Sequence, residues 1–177
     1  MKVSRGTKLL ILGVILVAVD QVSKYLVKTN MDLGEQIFVI GQWFRLCFVE
    51  NEGMAFGMKF GGATGKFLLS LFRIILCGAL IWWIRSLDRK GNTPTGVLVG
   101  LTLITAGALG NIIDCLFYGL FWDYAPFMFG KVVDMLYFPI IRTPDFVFFS
   151  PVFNFADSCV TVGAFYLILF QWKFFKQ

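Results

Sequence analysis

The chain contains no histidine. That excludes triads with an imidazole base, histidine zinc sites and histidine-ligated haem. Charge is scarce too: Asp, Glu, Lys and Arg make up 15% of 177 residues, against 58% hydrophobic residues, 21 of them Phe. An ordinary soluble domain is about 45–50% apolar, and the mean hydropathy here is +0.75. A soluble fold of this length has too little interior for such a sequence. Cysteines are few, namely Cys47, Cys77, Cys115 and Cys159. They show no C-x-x-C spacing, so neither a metal knuckle nor a redox dithiol is indicated. Cys77 and Cys159 fall inside apolar runs as buried thiols, and a Cys47–Cys115 disulfide is left open.

What is present in quantity is apolar run length. About 20 apolar residues cross a bilayer core, and four stretches qualify: 7–28, 66–85, 94–118 and 154–175. The first has a basic start, as a cleaved signal peptide does. It is too long for one, lacks an A-x-A-like site and runs on into "DQVSK", so it reads as a retained span. Basic residues flank one side of all four: Lys2, Arg5 and Lys8; Arg85, Arg89 and Lys90 against Asp88; Lys173 and Lys176. Lys and Arg mark the cytoplasmic side, so both termini are expected inside and loops 29–65 and 119–153 outside. The net charge of +5 then reports topology, and no nucleic acid partner is indicated. The expected fold class is an all-α membrane protein, a multi-pass bundle of four transmembrane helices forming one integral domain over 1–177. Loop 29–65 has the alternation and glycines of short strands. Loop 119–153 is aromatic-rich and broken by Pro126, Pro139, Pro144 and Pro151, so no long helix crosses it. Trp82, Trp83 and the run from Trp172 to Phe175 read as cytoplasmic-side interface anchors.

The ionisable residues inside the spans share one layer. At about 1.5 Å rise per residue, Asp20, Arg73, Asp114 and Asp157 lie roughly 12, 10, 6 and 5 Å below the outer ends of their spans. None falls in the inner half. An Asp at the centre of a span costs about 2.5–3.5 kcal/mol on insertion scales, and such groups usually face a bundle interior or a cavity. A channel or proton relay would distribute polar groups across the whole thickness, whereas this layer describes a site open to the outer face. Lys24 follows Asp20 by four residues, on the same helix face. "NIID" sets Asn111 and Asp114 on one face, and "NFAD" does the same for Asn154 and Asp157. Gly107, Ala108 and Gly110 allow close helix approach.

Asp134 stands in the outer loop within the apolar "KVVDMLYF". Folded back over the spans it would meet Asp157, and two close carboxylates share a proton. Such a pair activates water as base and protonates a leaving amine as acid. Each residue also has a plainer reading. Asp157 is a helix N-terminal acid, Asp134 a solvated loop acid and Asn51 a turn residue. Asn111, Asp114 and Asn154 form a network between helices, and Asp20 with Lys24 a structural pair. Two other function classes stay open: a Ser–Lys hydrolase using Ser158 or Ser23 with Lys24, and a small transporter or lipid-binding assembly factor.

Five motifs occur in order: "DQVSK" (20–24), "NEGMAFG" (51–57), "GALGNIID" (107–114), "VVDM" (132–135) and "FNFADS" (153–158). Together they resemble lipoprotein signal peptidase, or signal peptidase II, over nearly the whole chain. The resemblance implies a bacterial inner-membrane aspartyl endopeptidase with its active site near the outer face. It implies cleavage of diacylglyceryl-modified prolipoproteins on the N-terminal side of the lipidated cysteine, and inhibition by globomycin. The implied catalytic pair is Asp134 and Asp157. The implied substrate-binding or supporting residues are Asp20, Lys24, Asn51, Gly53, Asn111, Asp114 and Asn154. A β-sheet cradle carrying "NEGMAFG" and an outer loop or short helix would cover the site. Membrane lipids are the other partner, the enzyme acts as a monomer, and no metal or cofactor is implied. The chain departs from the family at Cys115, where Arg is common, and at Met135, where Phe is usual. Arg73 and Lys131 are the candidates to supply the missing charge.

Overall fold

The computed structural model describes residues 3–52, 62–139, 141–142, 147–148 and 151–176. Helix α1 (Arg5–Asn30) starts where Ser4 accepts a hydrogen bond from the Thr7 N–H, satisfying one of the four free donors of its first turn. Helix α2 (Gly62–Lys90) and helix α3 (Thr95–Ile113) follow. α3 continues through a π turn (Asp114–Tyr118) into a single turn, α4 (Gly119–Phe121). Helix α5 (Phe155–Phe170) is capped by Asn154 and leads into a 3-10 turn, Trp172–Lys176.

α1, α2 and the Thr95–Phe121 stretch are long and apolar enough to cross a membrane. α5 has 16 residues, shorter than the 154–175 span expected, because the regular helix stops at Gln171 and an aromatic 3-10 turn completes the stretch. Strands β1 (Gln36–Ile40) and β2 (Phe44–Asn51) form an antiparallel hairpin about Gly41, whose φ of +51° favours glycine. β3 (Val132–Tyr137) extends it, and the antiparallel sheet runs β1-β2-β3-β6, with β6 at Val152–Phe153. β4 (Ile141–Arg142) and β5 (Val147–Phe148) pair separately. Loop 119–153 thus holds no long helix among its described residues, yet it supplies half of the main sheet.

α3 is the central helix, packed mainly on α5 and α1. A Cβ at Gly107 would collide with the Ala156 carbonyl, and one at Gly163 would stand 2.9 Å from the Gly100 carbonyl. The glycines therefore let α3 and α5 meet backbone to backbone, the packing that associates helices where apolar burial gives no drive. Two apolar clusters result. Leu9, Leu87, Val97, Leu98, Leu101 and Leu167 fill the end near the α2–α3 turn. Val27, Phe48, Tyr118, Val133 and Met135 fill the end beneath the sheet. All four cysteines are buried free thiols, so Cys47 and Cys115 are not joined.

Candidate active site

Between these clusters lies a buried polar layer built around Lys24. Its ammonium is fully buried and reaches Asp20 Oδ2 at 2.9 Å and Asp114 Oδ2 at 2.8 Å, and it donates to Asn111 Oδ1 at 2.9 Å. An ammonium has three protons, and three acceptors use them. An ion removed from water costs several kcal/mol unless it is paired and hydrogen-bonded; here each charge is. The i, i+4 spacing of Asp20 and Lys24 supplies one contact, and α3 supplies the other two.

Each partner passes the constraint on. Asp20 Oδ1 accepts from the Ala156 N–H at 2.9 Å, an anion at the N-terminus of α5. A Cβ on Gly110 would collide with Asp20, so glycine is what admits this carboxylate between the helices. Asp114 Oδ2 accepts from the Val133 N–H at 3.3 Å, tying the end of α3 to the strand that carries Asp134. Gln21 Nε2 donates to Asp114 Oδ1 at 2.9 Å and to Asp20 Oδ2 at 3.1 Å, while Tyr118 donates to Gln21 Oε1 at 3.3 Å.

Asn111 and Asn154 connect the layer to the two candidate carboxylates. Asn111 Oδ1 accepts from Lys24, so its amide nitrogen faces Asp157 and donates to Oδ1 at 2.8 Å. Asn154 Oδ1 accepts from the Asp157 N–H at 2.8 Å, and the Asn154 N–H donates back to Asp157 Oδ2 at 3.2 Å. This reciprocal capping box starts α5. The two remaining protons, on Asn154 Nδ2, go to Asn111 Oδ1 at 3.0 Å and to Asp134 Oδ1 at 2.7 Å. Asn51, on β2, donates to Asp134 Oδ2 at 3.1 Å.

Asp134 is no solvated loop acid. It sits in β3 opposite Val49, only 3% exposed. Burial, then the neighbouring charge of Asp157, pushes its carboxyl up to about 7 from 3.8, against the hydrogen bonds from Asn51 and Asn154. Asp157 is more open than Asp134.

The structure thus brings together Asp20, Lys24, Asn51, Asn111, Asp114, Asp134, Asn154 and Asp157. Gly53 lies outside the described residues. Gln21 and Tyr118 join the network without having stood out in the sequence; Gln21 lay inside "DQVSK", and its i, i+3 relation to Lys24 was the available signal. Arg73 Nη1 approaches Cys115 Sγ at 3.3 Å, so this guanidinium is the one that reaches the Cys115 position. Lys131 instead pairs with Glu50 at 3.2 Å, as does Lys28. Burial works to raise the Glu50 carboxyl, but these two lysines outweigh it and hold it below the usual range.

The serine alternatives fail on geometry. Ser158 Oγ donates to the Asn154 carbonyl at 3.0 Å and Ser23 Oγ to the Asp20 carbonyl at 2.7 Å. Lys24 is committed to two carboxylates and Asn111, so it is not a free base for either hydroxyl.

Comparison with known proteins adds four findings. A family model described as Signal peptidase (SPase) II matches residues 12–173. The chain is 41% identical to a lipoprotein signal peptidase of Porphyromonas gingivalis, over 95% of this chain and 84% of that one. It is 34% identical to one of Chlorobaculum parvum, over 94% of this chain and 96% of the other. A solved bacterial membrane enzyme superposes with a TM-score of 0.70 at 29% identity, covering 94% of this chain and 88% of that structure.

Proposed function

The chain belongs to the signal peptidase II family, and we propose that it is an aspartic endopeptidase of the bacterial inner membrane. Its substrates are prolipoproteins whose cysteine carries diacylglycerol, and it cuts on the N-terminal side of that cysteine. The observation that carries the reading is the placement of one amide. Asn154 hydrogen-bonds Asp134 through its nitrogen while its oxygen and backbone N–H cap Asp157. Two carboxylates held by one residue, Asp134 through its side-chain amide and Asp157 through its backbone N–H, with Asp134 raised to about 7, are the arrangement that shares a proton and polarises a water.

In this mechanism Asp134 starts with the shared proton. Asp134 is the more buried of the two, and burial disfavours the charged form of a carboxyl, which raises it to about 7. Asp157 takes a proton from water as the water oxygen bonds to the scissile carbonyl carbon. Asp134 gives its proton to the carbonyl oxygen, forming a gem-diol. Asp157 then protonates the departing cysteine nitrogen, the C–N bond breaks, and Asp134 recovers its proton from a gem-diol hydroxyl. Lys24, Asp20 and Asp114 touch no reacting atom. They hold Asn111, the start of α5 and β3 in place.

The same reading makes α5 with its 3-10 turn the fourth span and puts both termini in the cytoplasm. The sheet lies as a cradle at the outer face, and the chain is a single domain acting as a monomer. A globomycin-type inhibitor would occupy the dyad.

Cleavage of a diacylglyceryl-modified prolipoprotein by the detergent-purified protein, followed by gel shift, is the test. Asp134→Asn and Asp157→Asn should each lower the rate by about 10²–10⁴-fold, with Ser158→Ala unaffected. Undiminished cleavage by either folded Asn variant would remove the dyad assignment.

A further inference from the structure

The last three turns of α2 carry a feature that peptide hydrolysis does not use. A groove of about 520 Å³ runs along them, lined by Gly78, Trp82, Arg85, Ser86, Arg89 and Lys90 among others. Gly78, Trp82, Arg85 and Arg89 recur at three- and four-residue steps, so they share one helix face. That face points away from the bundle: Trp82 is 71% exposed, and both arginines are exposed.

The charges here lack compensation. Asp88 is the only acidic side chain between Gly62 and Ile113, and Arg5 occupies it. Arg5 Nε reaches Asp88 Oδ1 at 2.6 Å, while its other nitrogens donate to the Thr93 and Asp88 carbonyls at 2.9 and 3.2 Å. Among the described residues Arg85, Arg89 and Lys90 have no acidic partner. The groove reaches Gly78, where a Cβ would meet nothing within 4 Å, so glycine keeps the helix surface open about two to three turns from the arginines.

Length fixes the level at which this groove sits. The 29 residues of α2 span about 43 Å at 1.5 Å per residue, more than a hydrocarbon core of about 30 Å. The terminal turns therefore stand among lipid headgroups, with Trp82 at the boundary where indole rings settle. Two guanidiniums one turn apart match a phosphate diester, which Arg binds through paired N–H groups. The Ser86 hydroxyl adds a donor, and Gly78 admits an acyl chain.

We propose that this face of α2 is a seated binding site for one anionic phospholipid. Its phosphate lies between Arg85 and Arg89, and an acyl chain lies along Gly78 and Trp82. Diffuse attraction of basic residues to a charged leaflet would need the cations alone, whereas a seated lipid also needs the groove left open at Gly78. The site is independent of the peptidase reading.

Native mass spectrometry of the detergent-purified full chain, titrated with phosphatidylglycerol or with phosphatidylcholine of the same chains, reads it. The wild type should retain phosphatidylglycerol over phosphatidylcholine by about thirtyfold. Arg85→Gln/Arg89→Gln should erase that preference. Gly78→Leu keeps every charge and should weaken phosphatidylglycerol retention about tenfold. Variants are compared at unchanged elution volume and melting behaviour. Equal retention of the two lipids by wild type would overturn the site. So would undiminished phosphatidylglycerol binding by Gly78→Leu, since attraction would then be diffuse.

Discussion

Beneath the sheet, one buried ammonium, Lys24, holds two carboxylates directly and is linked to two more through Asn111 and Asn154. Toward the other end of the bundle, Arg85, Arg89 and Lys90 stand with a single carboxylate that Arg5 already holds. The first group is buried: Asp20, Lys24, Asp114 and Asp134 are all at most 3% exposed, and protein groups answer each of them. The second group is exposed and keeps its hydrogen-bonding capacity for something outside the chain. The difference teaches where position is enforced. A buried charge has few low-energy places to be, so it fixes its neighbours. An exposed one costs little to move and fixes nothing.

The sharpest way to break that contrast is Lys24→Met. It leaves Asp20 and Asp114 buried against each other, and removing one partner of a buried pair costs about 3–5 kcal/mol. The melting temperature in detergent should fall accordingly. A small change would mean that water enters the layer and the pairing there is not dry.

Next comes the glycine contact that closes the buried end. Gly107→Ala would drive a methyl group into the Ala156 carbonyl and should destabilise by about 1–3 kcal/mol. Gly78→Ala, on the open face of α2, should instead stabilise by about 0.5–1 kcal/mol. Opposite signs in thermal unfolding are expected; equal signs would mean that α3 and α5 are not in backbone contact.

The pH response sharpens the comparison further. Folded Asp134 holds its proton up to about pH 7, while its ordinary value is 3.8. Between those values the folded state binds more protons than the unfolded one, so this group's stabilisation is complete below about 3.8 and is lost as pH rises through about 7. Asp134→Asn should remove that part of the decline in melting temperature. An unchanged slope in the variant would assign the decline to another group. Activity should also fall above about pH 7 as the shared proton leaves.

The smallest effect belongs to the other end. Arg89→Gln should alter stability by no more than about 0.5 kcal/mol, measured by the same melt without added lipid. A larger loss would reveal a protein partner for Arg89.

These contrasts also show what the sequence could carry. Run length placed α1, α2 and α3 to within a few residues, because about 20 apolar residues in a row have few other uses. The Asp20–Lys24 pair was readable from helical spacing alone. β3 was harder. "VVDMLY" does not alternate, since its first four residues are all buried, and a strand covered on both faces gives no period of two. Its pairing partners lie 81–92 residues upstream and 15–17 downstream, beyond any local signal. The Gln21 contact to Asp114 and the Tyr118 contact to Gln21 became visible only in three dimensions, because each joins two elements. The Tyr118 contact sits on a π turn, a one-residue irregularity that composition does not announce and that often marks functional sites. The exchange of the family's usual Arg for Cys115 was plain in the sequence. That Arg73 crosses from α2 to meet it was not.

Asn154 joins two tasks that are usually separate. Its side-chain oxygen starts α5, and its side-chain nitrogen holds Asp134. While the first turn of α5 is unwound, that amide has no fixed direction, and the two aspartates have no common reference. On the proposed mechanism, winding that first turn is therefore also the step that sets Asp134 and Asp157 against each other.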